Sequence, residues 1–426
     1  MPERHPVDDC VHCGFCLPVC PTYLAWGEEM DSPRGRVDLV RALREGTLAP
    51  TSNAIVHLDR CLGCMACLAA CPSGVRYDLI IEEARGLVER VAPRSRGQRL
   101  RRRLLFWLFP YPSRLRVAAF FLWLYRVSGL RFLVRTLGLL RISRLLRQMD
   151  GLAPELSLRE VTAALPPVTA AQGERRGRVA LVAGCVQRAF FPSVNAATIR
   201  ILSAEGFEVV VPPLQGCCGA LSMHSGRLEE ARRFTRALVS TLEGAGADFV
   251  LVNAAGCGSH LKDLSLLFRD DPDSAERAAA FSRRVKDVTE FLAGQAPRQK
   301  RHPLPGKVAY HSPCHLGHAQ KVQEQPRALL RQIPGLELVE VPESDQCCGS
   351  AGIYNLLEVS AANEIGARKT KNILSTGASY LASANPGCTL HVQRLLREQG
   401  VELPAAHPLE ILDASLRGAP LPRRKA

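Results

Sequence analysis

Cys10-Val11-His12-Cys13-Gly14-Phe15-Cys16-Leu17-Pro18-Val19-Cys20-Pro21 is a C-x2-C-x2-C-x3-C-P run, and a second copy follows at Cys61, Cys64, Cys67, Cys71 and Pro72. Such a spacing fits a pair of cubane [4Fe–4S] clusters: three closely spaced thiolates wrap one face, and the fourth Cys of each run reaches the other cluster. It assigns Cys10, Cys13, Cys16 and Cys71 to one cluster, and Cys61, Cys64, Cys67 and Cys20 to the other. Zinc is the alternative, since paired C-x2-C units also bind Zn²⁺. A zinc site takes four ligands, which leaves the third Cys and the trailing Cys-Pro unexplained.

The other cysteines are as ordered. Of sixteen, eight lie in these two runs and eight in a later repeat. Cluster thiolates must stay reduced, which points to a cytoplasmic protein rather than a disulfide scaffold. The start, Met-Pro-Glu-Arg-His-Pro, lacks the apolar stretch of a signal peptide. The 426 residues, 46% of them hydrophobic, suffice for two or three domains.

The net charge of +14 has one source: Val91 to Met149 holds fourteen Arg and no Asp or Glu. The chain is a neutral body with one basic insert, not a uniformly basic nucleic-acid binder.

Residues 1–91 read as a ferredoxin-like domain. Val37, Leu39, Val40 and Leu43 after Ser32-Pro33 have helical spacing, ending at Gly46, and Leu79 to Val91 is a second helix. Helices rather than strands are thus expected to carry the two runs. Arg34 and Arg36 either moderate cluster charge or form a solvated turn.

Residues 92–150 are the insert. Gln98–Phe109 and Arg114–Met149 read as two helices separated by Pro110-Tyr111-Pro112. The longest uncharged apolar stretch, Val117 to Tyr125, is far below the ~20 residues that span a bilayer. Arg interleaved with Trp107, Phe120, Phe121, Trp123 and Tyr125 suits a peripheral position on an anionic membrane surface, and equally a helix pair packed on the protein. Residues 151–177 read as a linker with one short helix.

From residue 178 the chain repeats itself. Cys185, Cys217-Cys218-Gly219 and Cys257 recur as Cys314, Cys347-Cys348-Gly349 and Cys388 at nearly equal separations. Val179–Ala183, Phe207–Val211 and Phe249–Val252 read as strands, Ser193–Leu202 (capped by Ser193) and Leu228–Leu242 as helices. In the second copy Val308–Tyr310 and Leu336–Val341 are the corresponding strands. The cysteines fall at the carboxyl ends of strands, where open α/β sheets assemble sites. Two such domains follow, at 178–295 and 306–416.

Four readings of these cysteines stand side by side. Four thiolates per copy match a further cluster. Three with His260 or His391, each at C-x2-H, match zinc. A vicinal Cys217–Cys218 or Cys347–Cys348 pair suits disulfide redox chemistry. Small buried residues in a tight turn need no ligand at all. His224, His311, His315 and His318 lie near the loops, and none is assigned a role.

The chain resembles the iron–sulfur subunit of bacterial glycolate oxidase. The resemblance rests on both runs and on Gly184-Cys-Val-Gln187, Gln215-Gly-Cys-Cys-Gly-Ala220, Ala255-Gly-Cys-Gly-Ser259, His311-Ser-Pro-Cys-His-Leu316, Cys347-Cys-Gly-Ser-Ala-Gly352, Ser383-Ala-Asn-Pro-Gly-Cys388 and Leu409-Glu-Ile-Leu-Asp413. The modules are also similar to those of heterodisulfide reductase catalytic subunits, but His260 and His391 replace that family's last Cys. The resemblance implies an α+β multidomain protein: an α-helical ferredoxin domain with two [4Fe–4S] clusters, then two pseudo-symmetric cysteine-rich α/β domains. It further implies electron transfer from an FAD-containing partner, which oxidises glycolate to glyoxylate, towards a quinone at the inner face of the membrane.

No G-x-G-x-x-G fingerprint or P-loop occurs, so no flavin, nucleotide or substrate site is expected on this chain. The alternatives are the matching subunit of a lactate or glycerol-3-phosphate dehydrogenase complex, or an iron–sulfur protein whose Arg insert binds nucleic acid. No recognition motif supports the latter, and nucleic acid is not an expected partner.

Overall fold

A computed structural model describes residues 5–50 and 52–422 of the chain. Met1 to Arg4, part of the stretch read as lacking a signal peptide, lie outside the described residues. Before Val168 the described residues form helices and turns, with no strand. Cys20 is the N-cap of the helix Pro21–Trp26, and Pro21 occupies its first position, where a missing N–H costs nothing. The helix Pro33–Arg44 starts at Ser32, whose hydroxyl accepts from Gly35 N–H at 3.0 Å. It buries Val37 and Val40. The helix Tyr77–Val91 buries Ile80, Ile81, Ala84 and Val88 at helical spacing. Both faces close on Leu58, Cys61, Met65 and Cys67 in one core. Helices therefore position both cysteine runs.

The two copies of the repeat each build a small sheet. In the first, β1 (Val168–Thr169), β2 (Gly177–Val182), β3 (Phe207–Val210), β4 (Phe249–Val252) and β5 (Val285–Asp287) lie in the order β1-β3-β2-β4-β5. All neighbours are parallel except β1 with β3. In the second, β6 (Gly306–His311), β7 (Leu336–Glu340), β8 (Tyr380–Ser383) and β9 (Ala405–Ala406) form an all-parallel sheet in the order β7-β6-β8-β9. Strands buried on both faces explain the unbroken apolar runs that marked them in the sequence.

The modules share one core. The helix Pro192–Ala204 that follows β2 packs on Pro408–Arg417 that ends the second module, and Val288–Ala293 that ends the first packs on Glu324–Arg331 that follows β6. Such reciprocal pairing is what a pseudo-twofold arrangement requires. Pro192–Ala204 does not begin on a Ser193 cap: Phe191 is the N-cap residue, and Ser193 lies inside the helix, donating to Glu410 Oε1 at 2.6 Å across the interface. Proline at the first position outcompetes a side-chain cap here.

Two more stretches depart from expectation. The segment 151–177 contains the helix Leu158–Thr162, buries Leu156 and Val161 in the first module's core, and supplies β1. Arg114–Met149 is not one helix. It breaks into Pro112–Val127, Leu130–Thr136, a turn at Leu139–Ile142 and Arg144–Leu152. Gly129 and Gly138 sit at φ 77° and 68°, left-handed conformations that end a right-handed helix. Ser143 then caps the last piece. Among the described residues no single helix is long and apolar enough to cross a membrane. Pro112–Val127 and Leu130–Thr136 together meet the length and composition, but they bend by 69°.

The break has a use. Pro112–Val127 rests on the helix Cys185–Phe190 of the first module, and Arg144–Leu152 rests on the helices of the second. The insert thus roofs both modules. Its inner face buries Leu105, Phe106, Leu115 and Ala119. Its outer face exposes Phe120, Phe121, Leu124, Val127, Phe132 (75% exposed) and Ile142 (80%).

Candidate metal centres

The structure gathers the cysteines of the two runs into two groups. Cys10, Cys13, Cys16 and Cys71 surround a small cavity of about 30 Å³ with Arg34 beside them. Cys20, Cys61, Cys64 and Cys67 are buried together. Left-handed residues make the loops tight enough to converge: His12 at φ 54°, Gly14 at 85°, Gly63 at 62° and Met65 at 64°. The left-handed φ of Gly63 is what favours glycine there, with the Arg85 guanidinium close by. Backbone N–H groups already point at sulfur: Gly63 N–H donates to Cys61 Sγ and Val75 N–H to Cys71 Sγ, both at 3.4 Å.

Charge around the two groups differs. Burial pushes the Cys16 thiol up to about 11, and burial with neighbouring thiols raises Cys64 and Cys67 well above the ordinary range. Cys61 goes the other way. Burial opposes its ionisation, but the Arg36 and Arg85 guanidinium groups outweigh it. Arg36 is itself fully buried, donating to Thr22 Oγ1 at 3.0 Å, Asp31 O at 2.6 Å, His57 O at 2.8 Å and Asp31 Oδ1 at 3.3 Å. Arg34 donates to His12 O at 3.3 Å and stands over the first group. Both arginines of the Pro33-Arg34-Gly35-Arg36 turn thus face the cysteines rather than solvent alone.

In each module all four cysteines converge, with no disulfide among them. Cys185 and Cys217 sulfurs lie 3.8 Å apart, and Cys314 and Cys347 4.0 Å apart. Cys218 contacts Cys257, and Cys348 contacts Cys388. The glycine of each Cys-Cys-Gly turn is forced. Gly219 (φ 97°) would place a Cβ 2.8 Å from Ala231 O, and Gly349 (φ 86°) 2.5 Å from Ala362 O. Bonding to its partner thiol, then burial, raises the pKa of Cys185 and of Cys314. Thiols so crowded and desolvated do not ionise together without a cation among them, and a bound metal ionises them outright. The donor set therefore fits a thiolate-ligated metal or iron–sulfur centre.

The imidazoles sort differently from the C-x2-H reading. His260 Nε2 pairs with Thr235 Oγ1 at 3.0 Å, and His391 Nε2 with Ala362 O at 3.1 Å. Both are tied into their own module's helices instead of sharing a site with three thiols. In the second module His311 takes that place: its ring and the sulfurs of Cys348 and Cys388 offer ligand atoms all within 4.8 Å of one another. His311 is buried with no hydrogen-bond partner on either nitrogen, and burial, then Lys369, pushes its pKa down to about 3. A neutral imidazole without a partner is a metal-ligand form. Sequence reasoning assigned it nothing. The available signal was the mismatch between copies, since Val182 precedes Cys185 where His311 precedes Cys314.

The second module touches the ferredoxin-like domain. Leu62, Cys64 and Ala66 share an apolar cluster with Cys347, Tyr354 and Ile365, and Cys314 packs against it. Both modules open into one cavity of about 860 Å³, which also reaches Cys61 and the inner face of the insert.

Comparison with known proteins agrees with this architecture. The family described as 4Fe-4S dicluster domain matches residues 6–75, the linker region of the glycolate oxidase iron-sulfur subunit matches 97–153, and the Cysteine-rich domain matches twice, at 179–262 and 308–393. A probable glycolate oxidase iron-sulfur subunit of Bacillus subtilis (strain 168) is 37% identical over 95% of this chain and 93% of its own length. The glycolate oxidase iron-sulfur subunit of Escherichia coli (strain K12) is 33% identical over 96% and 93%. Lactate utilization protein A of Geobacillus sp. (strain WCH70) is 29% identical over 56% of this chain and 99% of its own length.

Proposed function

This chain belongs to the family of glycolate oxidase iron–sulfur subunits, and on that premise we propose how its parts carry electrons. It is an electron-transfer subunit of an oxidoreductase. A separate FAD-containing subunit removes two electrons and two protons from glycolate, leaving glyoxylate, and a quinone takes up two electrons and two protons at the other end. A [4Fe–4S] cluster supplies one-electron storage and transfer when bound. Residues 1–91 hold two of them, through Cys10, Cys13, Cys16 and Cys71 and through Cys20, Cys61, Cys64 and Cys67. The modules at 178–295 and 306–416 hold further metal centres through Cys185, Cys217, Cys218 and Cys257 and through Cys314, Cys347, Cys348 and Cys388. Residues 151–177 connect them to the insert at 92–150.

One observation carries this reading: Cys64 of the ferredoxin-like domain packs beside Cys314 and Cys347 of the second module, so the buried ferredoxin group adjoins the second module's thiols. Low-dielectric packing between them and fixed backbone donors to sulfur suit fast transfer with little rearrangement. The relatives aligned over nearly the whole of this chain favour glycolate as the partner's substrate, while the lactate utilization relative matches only over 56% of this chain. In the assembled complex, Cys13→Ala and Cys64→Ala should each lose iron and abolish quinone reduction, yet leave flavin reduction by glycolate intact. Unchanged iron content in either variant would overturn the assignment.

The insert docks the complex on an anionic membrane. It exposes aromatic and aliphatic side chains together with Arg99, Arg103, Arg116, Arg141, Arg144 and Arg147, and from Val91 to Met149 the chain contains no acid. Other arginines are spent internally: Arg131 and Arg135 on Asp150, Arg126 on Glu155, Arg94 on Asp59. Changing Phe132 and Ile142 together to Asp should release the complex from anionic vesicles with its iron retained. Undiminished vesicle binding would refute the docking face.

A further inference from the structure

Metal centres on its cysteines account for only one end of the 860 Å³ cavity. One set of lining residues is the cysteines of both modules, with His224 and His315. Another is carbon from the insert: Leu108, Leu115, Ala118, Leu122, Val134 and Leu140. Ligand pockets of about 300–1,000 Å³ combine a mostly apolar wall with a few polar groups in just this way. The insert side also leads outward, since Phe121, Leu139, Leu146 and Met149 line the cavity and are at the same time exposed on the surface. The cavity therefore runs from the buried thiols to the apolar outer face of the insert.

Two imidazoles in the lining keep ring nitrogens unspent. His224 and His315 rings lie 5.0 Å apart. Neither nitrogen of His224 has a hydrogen-bond partner, nor has His315 Nε2. Burial, then the neighbouring His315, holds His224 well below its ordinary pKa, so it stands as a neutral ring. Behind it, the Glu82 carboxyl oxygen is 3.8 Å from His224 Nδ1. Unsatisfied buried imidazoles are costly unless a ligand meets them.

We propose that this cavity binds the quinone itself, its ring beside His224 and His315 and next to the metal centres that the module cysteines would hold, and its isoprenoid tail along Ala118, Leu122 and Leu140 of the insert towards the membrane face. A ligand with a polar, two-carbonyl head and a long apolar tail matches both ends of the cavity, which a water-soluble acceptor does not. The inference rests on the reading above that a quinone is the acceptor. In the reaction the ring gains two electrons, delivered through this chain from the flavin partner. Each carbonyl oxygen gains one proton from water, which completes the quinol, and His224 Nε2–H or Nδ1–H offers the hydrogen bond that orients the head.

The test uses the full chain purified anaerobically with its metal centres, and the assembled complex. Photolabelling with an azido-ubiquinone should mark residues of Pro112–Val127 or the His224 loop, and decylubiquinone should compete it away. Ala118→Trp, which fills the cavity, should weaken decylubiquinone binding by about tenfold or more, while Val117→Trp, exposed on the same helix, should not. Labelling elsewhere, no competable labelling, or undiminished binding in a folded Ala118→Trp variant would overturn the site. A complex that binds decylubiquinone here but passes electrons only to other acceptors supports the site and overturns quinone as the acceptor. Quinone reduction with no label in the cavity does the reverse.

Discussion

The two cysteine modules are copies that have been made unlike at a few buried positions. Both present four thiols at the carboxyl edge of their parallel strands, and both need glycine after the vicinal cysteines. The first module then has Val182 and Leu238 where the second has His311 and Lys369, positions matched by their distance to Cys185 or Cys314 and to His260 or His391. Lys369 is buried, its ammonium donating to Glu343 O at 3.0 Å and Ser344 O at 3.1 Å, with burial lowering its pKa against the thiols of Cys348 and Cys347. Thr235, which joins Cys218 O to His260 in the first module, corresponds to Gly366, where a Cβ would strike Leu395 at 2.3 Å. The surroundings diverge as well. The second module adjoins Cys64, while the first carries the insert helix Pro112–Val127 on its Cys185 helix. On the electron-transfer reading proposed above, the second module is the entry and the first the side nearer the acceptor.

The strongest break of that comparison removes one centre at a time. Cys348→Ala and Cys218→Ala should both abolish quinone reduction by the complex. They should differ in what remains reducible. With Cys218 changed, electrons from glycolate still reach the second module. With Cys348 changed, the first module stays oxidised on the timescale of turnover. Low-temperature paramagnetic resonance during stepwise reduction distinguishes them, and equal reduction of the surviving module in both variants would mean the order is not serial.

A finer test exchanges the unlike residues. His311→Val makes the second site resemble the first and should weaken its metal affinity by about 10–100-fold, as loss of groups ordering a metal site does. Metal in the first site should not change. The converse, Val182→His, buries an imidazole with no partner in a packed strand and should cost about 1–3 kcal/mol of stability in chemical denaturation. Metal retention by His311→Val equal to the parent would show that the imidazole packs beside the site without serving it.

How much was legible in advance follows from the range of the interactions. The two C-x2-C-x2-C-x3-C-P runs, the duplicated cysteine anchors and the strands β2, β3 and β4 could be read directly, because ligand spacing and strand periodicity are local properties. The breaks at Gly129 and Gly138 were also written in the sequence, but a continuing apolar pattern hid them until the backbone showed left-handed turns. His260 and His391 had the right spacing and the wrong surroundings, since a motif records distance along the chain and not which helix a ring packs against. His311 had the right surroundings and no motif.

What the sequence determined by itself is the cysteine inventory, the helical carriage of the first domain and the duplication. Each follows from residue type and short-range periodicity. What only the tertiary structure decided is adjacency: Cys64 beside Cys314, Arg36 and Arg85 lowering the Cys61 thiol, and the insert closing a cavity over both modules. These depend on contacts between residues far apart in the chain, and packing of the shared core sets them.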